Sequence, residues 1–357
     1  MINTKIIEID PSKLEEGNLE EEAKIKECSE IIKKGGTVAF PTETVYGLGA
    51  NGLDPFSIKK IYEAKGRPSD NPLILHVASI DEVKPLVKEI PEVGFKLMKT
   101  FWPGPLTLVM EKSEVIPREI TAGLDTVAIR MPEHPIARGL IEASGVPIAA
   151  PSANRSGKPS PTKAEHVIED LSARVDAIIS GGSSNVGLES TVLDITVEPP
   201  VILRPGGITK EMLEQVIAVV STDPALEKDH QDLVPRSPGM KYTHYAPKAD
   251  VVIVKGSDEG VIAKINGLVA ELTAEGKNAG IISTEETKAQ YSGGLVKSIG
   301  RRNDVNEIAS NLFTILREFD ETNVEVIFTE AIEETGLGKA IMNRLLKAAG
   351  YRLIEAI

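Results

Sequence analysis

Read for hydrophobic periodicity, the chain opens with an edge strand at Lys5–Ile9 and then a helix over Leu19–Lys34, whose Ile25, Cys28 and Ile32 share one face. Gly35-Gly36 stops that helix. Thr37–Phe40 is a short apolar run that predicts a buried strand, and Pro41 ends it because proline has no amide hydrogen for a ladder. Asp54 as cap, Pro55 in the first turn and Gly66 at the exit bracket a second helix, with Ile58, Ile61 and Tyr62 facing inward. Further strands are predicted at Leu73–Val77, Leu106–Met110, Thr126–Arg130, Pro147–Ala150, Ala177–Ser180, Ser190–Ile195 and Val201–Arg204. Helical patterns over Asp81–Phe101, over Pro135–Ala143 and from Thr209 to about Val219 fall between or after them. Some connections are helical and others short, which implies a mixed sheet.

Residues 220–249 break the periodicity: the stretch is polar, rich in proline, and sets Tyr242, His244 and Tyr245 between prolines. That aromatic density suits a lid folded over a cleft better than a passive spacer. From Asp250 the pattern alternates: strand Val251–Val254, helix Val261–Glu275, strand Ala279–Ser283, helix Val305–Asp320, strand Val324–Phe328 and helix Gly338–Ala349. Such alternation predicts a small parallel domain. The expected architecture is α/β throughout, with an N-terminal domain over 1–219 built on a twisted mixed sheet with flanking helices. A linker over 220–249 and a small C-terminal parallel, Rossmann-like α/β domain over 250–357 complete it.

Composition narrows the class. A chain of 357 residues can bury two cores, and 41% hydrophobic with 26% charged residues is the balance of an ordinary globular protein. No apolar run approaches the roughly 20 residues of a membrane span, and the N-terminus lacks a signal peptide's apolar segment. A cytoplasmic protein with no membrane partner is expected. Cys28 is the single cysteine, which excludes an intramolecular disulfide and a thiolate zinc cluster and reads as core filler. The five histidines are scattered with no metal-binding spacing, so no tightly bound protein metal is expected. A net charge of −13 argues against a nonspecific nucleic-acid coat while leaving room for a local basic cleft.

The candidate chemistry gathers at strand ends. Lys65 and Arg67 leave the second helix beside the hydroxyls of Thr42, Thr44 and Tyr46, with Ser69, Asp70, Asn71 and His76 following at once. Cations at a helix C-terminus can simply complement its dipole; in this polar company they suit an anionic ligand such as a triphosphate. Arg130, at the polar end of its strand, is a candidate clamp for a carboxylate, with a surface ion pair as the plain alternative. The loop PSANRSGKPSPT holds Ser152, Asn154, Ser156, Ser160 and Thr162 with Arg155 and Lys158, and reads as a phosphate cradle ahead of a helix whose capping box runs from Thr162 to Glu165. A solvated linker is the alternative there, and no Walker motif exists anywhere. Ser190 and Arg204 also sit at strand ends. Gly47 to Gly52 matches GxGxxG but is not set directly between a strand and the helix it opens, so these glycines read as turns and no dinucleotide site is expected. Trp102 reads as a core anchor.

In their order, PTETVYGLGA, the Lys65-x-Arg67 pair, the Ser152-x-Asn154 pair, STVLD with LRPG, and PGMKYTHYAP resemble the threonylcarbamoyl-AMP synthase family in its long form, a YrdC-like domain with a C-terminal companion. The resemblance covers nearly the whole chain. It implies a nucleotidyltransferase that converts L-threonine, bicarbonate and ATP into threonylcarbamoyl-AMP, pyrophosphate and water, for modification of the tRNA adenosine beside the anticodon. It places threonine near Thr44, His76, Arg130, Ala150 and Ser190, with Arg130 on the carboxylate. It places the nucleotide near Arg67, Asn71, Thr126, Ser152, Ser160, Arg204 and Tyr242, with Lys65 and Arg67 as catalytic cations and Asn154 supporting the serine loop. Mg²⁺ is expected with ATP, held mostly by phosphate oxygens and water. Proteins of the tRNA threonylcarbamoyl-transfer machinery are the implied partners, with weak tRNA contact at most. Two rival readings stand beside this one. Carbamoyl-adenylating enzymes of hydrogenase maturation add zinc fingers, which one cysteine excludes. An RNA-binding module without turnover would need Lys65, Arg67, Lys158 and Arg204 to form one basic face.

Overall fold

Local signals set the elements. The Asn18 side chain accepts from the N–H groups of Glu20 and Glu21 and starts the helix Leu19–Lys33, which buries Ile25, Cys28 and Ile32. Asp54 does the same for Phe56 and Ser57 at the head of Pro55–Lys65, and Gly66 ends that helix in the left-handed region at φ 62°. The computed structural model describes residues 2–226 and 245–356; of the linker expected over 220–249, residues 227–244, with Tyr242 and His244, lie outside the described residues. These residues form two units, one of residues 2–156 with 160–226, the other of 157–159 with 245–356.

The first unit carries an eleven-stranded mixed sheet among the described residues. Its middle runs, in spatial order, Gly47–Asn51, Ile148–Ala149, Ile74–His76, Thr126–Arg130, Leu106–Glu111, Thr191–Asp194 and Val201–Arg204. Ile74–His76 is parallel to Thr126–Arg130 and antiparallel to Ile148–Ala149. Side-chain alternation gives this sheet two unequal faces. On one, Leu48, Leu75, Leu108, Val127 and Ile129 join the large core beneath the helices. On the other, Val38, Phe40, Ile148 and Ala150 pack with Ile25, Cys28, Ile136 and Leu140 from the helices Leu19–Lys33 and Pro135–Ser144. Further along that second face Ile74, Val109, Ala128, Val192 and Leu203 form a separate small patch. The polar residues of interest border this patch.

Several elements differ from the sequence expectation. Gly47–Asn51 is a strand, not a set of turns. A Cβ on Gly49 would stand 2.7 Å from the Phe40 ring and 2.8 Å from Ile148, so glycine is there to let neighbouring strands carry bulky side chains. The helix Lys210–Glu214, capped by Thr209, stops five residues before Val219, and Ser221–Thr222 then pairs parallel to Val201–Arg204. The first unit therefore extends past the boundary expected at 219. Thr162 is not a cap: the helix Ala164–Leu171 starts from Lys163 with no side-chain hydrogen bond at its cap.

The second unit is a parallel sheet in the order Leu295–Ser298, Ala279–Ser283, Val326–Glu330, Asp250–Lys255 and Leu353–Glu355, with the helices Asp258–Ala274, Val305–Asp320 and Gly338–Ala348 as crossovers. Its first and last strands in space were not predicted, because each has only three or four residues. Among the described residues, no helix is long and apolar enough to cross a membrane.

Candidate active site

Arg130 ends its strand with a guanidinium only 4% exposed. Its Nε donates to Gly104 O (3.2 Å), Nη1 to the Thr44 hydroxyl (2.9 Å) and Nη2 to the Glu43 carboxylate (2.5 Å). Glu43 is buried as well, and its second oxygen accepts the Glu133 N–H. Thr44 is held by Thr42 at 2.8 Å in the turn that Pro41 opens. His76 pairs with Arg130 in register, and so does Thr107 from the other side, which puts all three side chains on the face bearing the small apolar patch. Burial, together with the Arg130 charge, pushes the His76 imidazole down to about 3. It stays neutral, and among the described residues its Nδ1 has no hydrogen-bond partner.

The hydroxyl of Ser190 bonds that of Thr107 at 2.7 Å and accepts from Arg204 Nη2 at 3.1 Å, while Arg204 Nε donates to Ser190 O at 3.0 Å. This contact depends on Gly206, where a Cβ would stand 2.3 Å from Thr191 N and 2.5 Å from Glu189 O. The turn after Arg204 can press onto residues 189–191 only without a side chain. Glu189 in turn accepts from Ser160 at 2.5 Å. Thr44, His76, Arg130, Ser190, Ser160 and Arg204 are thus brought into one chain of contacts.

Of the remaining residues, Ala150 lies midway along these strands and the others meet at their opposite ends. Because Ile148–Ala149 runs antiparallel to Ile74–His76, the serine loop that follows it reaches back toward the start of Ile74–His76, and Ala150 N–H donates to Ile74 O at 3.0 Å. Lys65 is buried, and its ammonium donates to Ser152 O (2.5 Å), Asn154 O (2.7 Å) and Asn154 Oδ1 (3.2 Å). Ser152 donates to Asn154 Oδ1 at 2.6 Å. In this structure Lys65 and Asn154 hold the serine loop together. Arg67 donates to Asn71 O and Pro72 O at 3.3 and 3.2 Å. Parallel register sets Thr126 beside Pro72. The Asn71 side chain is 0% exposed, yet among the described residues neither its Oδ1 nor its Nδ2 has a partner. A buried amide left unpaired is costly and points to a ligand. The two clusters are separated by the length of Thr126–Arg130, about 13 Å.

Sequence reasoning missed Glu43, Glu189 and Thr107. The available signal was a charge at position 43 inside the buried run 37–50. Tyr46 turns out to be structural: its hydroxyl donates to Gly182 O at 2.6 Å, and burial pushes it up to about 12. Trp102 is a core anchor, donating from its indole to Leu106 O at 2.7 Å. The rival basic face does not form, because Lys65 and Arg204 are buried at 3% and 5% exposure.

Known proteins share this fold. Residues 30–206 match the family model described as Telomere recombination, and residues 208–350 match that of the Threonylcarbamoyl-AMP synthase, C-terminal domain. A threonylcarbamoyl-AMP synthase of Pyrococcus abyssi is 54% identical, covering 94% of this chain and 96% of its own. One from Bacillus subtilis is 52% identical, covering 93% and 94%. The crystal structure of P. abyssi Sua5 complexed with L-threonine superposes with a TM-score of 0.92 at 52% identity, over 99% of this chain and all of that one. Fold and relatives together make this chain an ATP-using transferase that forms an adenylate. The chain belongs to the threonylcarbamoyl-AMP synthase family, as its motifs led one to expect.

Proposed function

We propose that the polar residues bordering this sheet face join L-threonine, bicarbonate and MgATP into threonylcarbamoyl-AMP, releasing pyrophosphate and water. The observation that carries this reading is the pairing of two buried features on one sheet, the Arg130 guanidinium at one strand end and the unpaired Asn71 amide near the other. A guanidinium has five N–H donors, and three of those on Arg130 are engaged by Gly104, Thr44 and Glu43. The other two can receive threonine's carboxylate as a fork. His76 Nδ1, Thr44, Ala150 and Ser190 then border the amino acid. An amide that offers one donor and one acceptor matches the N6/N7 edge of adenine, so Asn71 is assigned to the base, with Arg67 and Thr126 beside it. Ser152, Ser160, Arg204 and, outside the described residues, Tyr242 complete the nucleotide contacts. Lys65 and Asn154 act as positioning residues through the serine loop.

The chemistry asks for alignment and charge neutralisation. Threonine's amine adds to bicarbonate and water leaves, giving a carbamate; a carbamate oxygen attacks the α-phosphorus and pyrophosphate departs. Neither step needs a protein nucleophile; alignment and preorganised positive charge, for which Arg67 and Arg204 are the candidates, supply the acceleration. Mg²⁺ arrives with ATP as part of the substrate. The adenylate passes to the proteins that transfer threonylcarbamoyl to tRNA in the cytoplasm.

The test is pyrophosphate release from ATP in the presence of bicarbonate with threonine, serine or no amino acid. Threonine-dependent release supports the reading; equal release without an amino acid would make the site a general ATPase.

A further inference from the structure

The C-terminal unit holds a cavity of about 310 Å³ beyond the carboxyl ends of its parallel strands, lined by Glu330 and walled by Val261, Ile308 and Ile332. Its position follows from the strand order. The chain leaves Ala279–Ser283 toward Leu295–Ser298 on one side, and leaves the adjacent Val326–Glu330 toward Leu353–Glu355 on the other. Connections that part in this way open a crevice where α/β sheets take ligands. None of its residues enters the reaction proposed above.

Three observations restrict the occupant. The volume lies at the low end of small-molecule cavities, roughly 300–1,000 Å³, which excludes a dinucleotide. The helix that follows the first strand carries Asp258 and Glu259 in its opening turn, so carboxylates already sit where nucleotide-binding α/β units place phosphate. The charged lining is mixed, with Lys255 and Arg302 against Asp258, Glu330 and Glu333. Glu330, 4% exposed, accepts from the Tyr291 hydroxyl at 2.7 Å, from Arg302 Nη2 at 2.8 Å and from Thr287, so the protein itself satisfies it. Burial and the Glu330 carboxylate hold the Tyr291 phenol far above its ordinary value, which keeps it a donor. Arg302 also pairs with Asp258, and that pair lies in the open, at 42% and 62% side-chain exposure. Exposed pairs contribute little. Their two members exchange readily for ligand charges of opposite sign, above an apolar wall.

We propose that this cavity binds a free α-amino acid with an apolar side chain, its carboxylate on Arg302, its ammonium on Asp258 and its side chain against Val261, Ile308 and Ile332.

Methyl NMR of the full chain with labelled isoleucine δ1 groups tests this, because Ile262, Ile308 and Ile332 line the cavity while Ile74 and Ile129 report on the first unit. The titrants are L-leucine, L-isoleucine and L-threonine, with isoamylamine and 4-methylpentanoate as leucine lacking one charged end. Shifts at Ile308 and Ile332 with an amino acid are expected, about tenfold weaker with either control and in Asp258→Asn. Equal binding of isoamylamine overturns the proposal by making this an amine site. So does the absence of shifts at those methyls up to about 10 mM of every amino acid. Asp258 is exposed, so its substitution preserves the fold, and binding unaffected by Asp258→Asn overturns the assignment as well.

Discussion

A guanidinium as buried as that of Arg130 is costly unless its charge is met, and here Glu43 meets it before any substrate arrives. Arg130→Ala therefore carries two effects: it removes the proposed seat of threonine's carboxylate, and it strands a buried carboxylate. Threonine affinity is expected to fall by roughly 2–5 kcal/mol while ATP affinity stays within about threefold. Calorimetric titration of each ligand decides it, and equal losses would sink the carboxylate assignment. Adding Glu43→Gln should restore stability without restoring threonine binding. His76 supplies a pH signature of the same site. Its folded value of about 3 lies below its ordinary 6.5, so between the two the unfolded chain binds a proton that the folded chain refuses. Its contribution to stability is complete above 6.5 and is lost as pH falls toward 3. In His76→Gln, the decline of stability between pH 6.5 and about 4.5 should be shallower by up to about 1.4 kcal/mol per pH unit. Urea unfolding followed by fluorescence of Trp102, the chain's single tryptophan and part of the first unit, measures that slope.

Elements differ in what a side chain would meet. Gly49→Ala is expected to destabilise the first unit by about 1–3 kcal/mol through overpacking against Phe40 and Ile148. Gly267→Ala, inside the helix Asp258–Ala274 with open space around it, should stabilise the second unit by up to about 1 kcal/mol. Thermal unfolding by circular dichroism separates the two signs. The same contrast explains what the sequence made legible. Helices with a side-chain cap and a glycine exit, such as Pro55–Lys65, were readable to within a residue because their signals are local. Gly47–Asn51 was not, since its strand character comes from partners on both sides and not from β-branched side chains. Site residues at strand ends stood out because polar groups interrupt apolar runs. Glu43 and Thr107 did not, because the bonds that give them meaning reach 87 and 83 residues along the chain. The loop partners of Lys65 were hidden for the same reason, lying 87 and 89 residues away.

At the scale of the whole molecule, the two units carry distinct probes. Cys28 is the only thiol of the chain, lies in the first unit, is 0% exposed and is pushed up to about 12 by burial. Only a thiolate reacts with disulfide reagents, so labelling must wait for the Leu19–Lys33 helix to lift from its sheet. The rate of thiol capture is then a clock for excursions of one unit, blind to the other. Saturating threonine and ATP together should slow that clock by stabilising the closed state, at least tenfold if their combined linkage exceeds about 1.4 kcal/mol. Capture at an unchanged rate would mean that the helix layer opens without disturbing the site. The chain thus contains a built-in stopwatch for its first unit, readable in a mixture, without any engineered label.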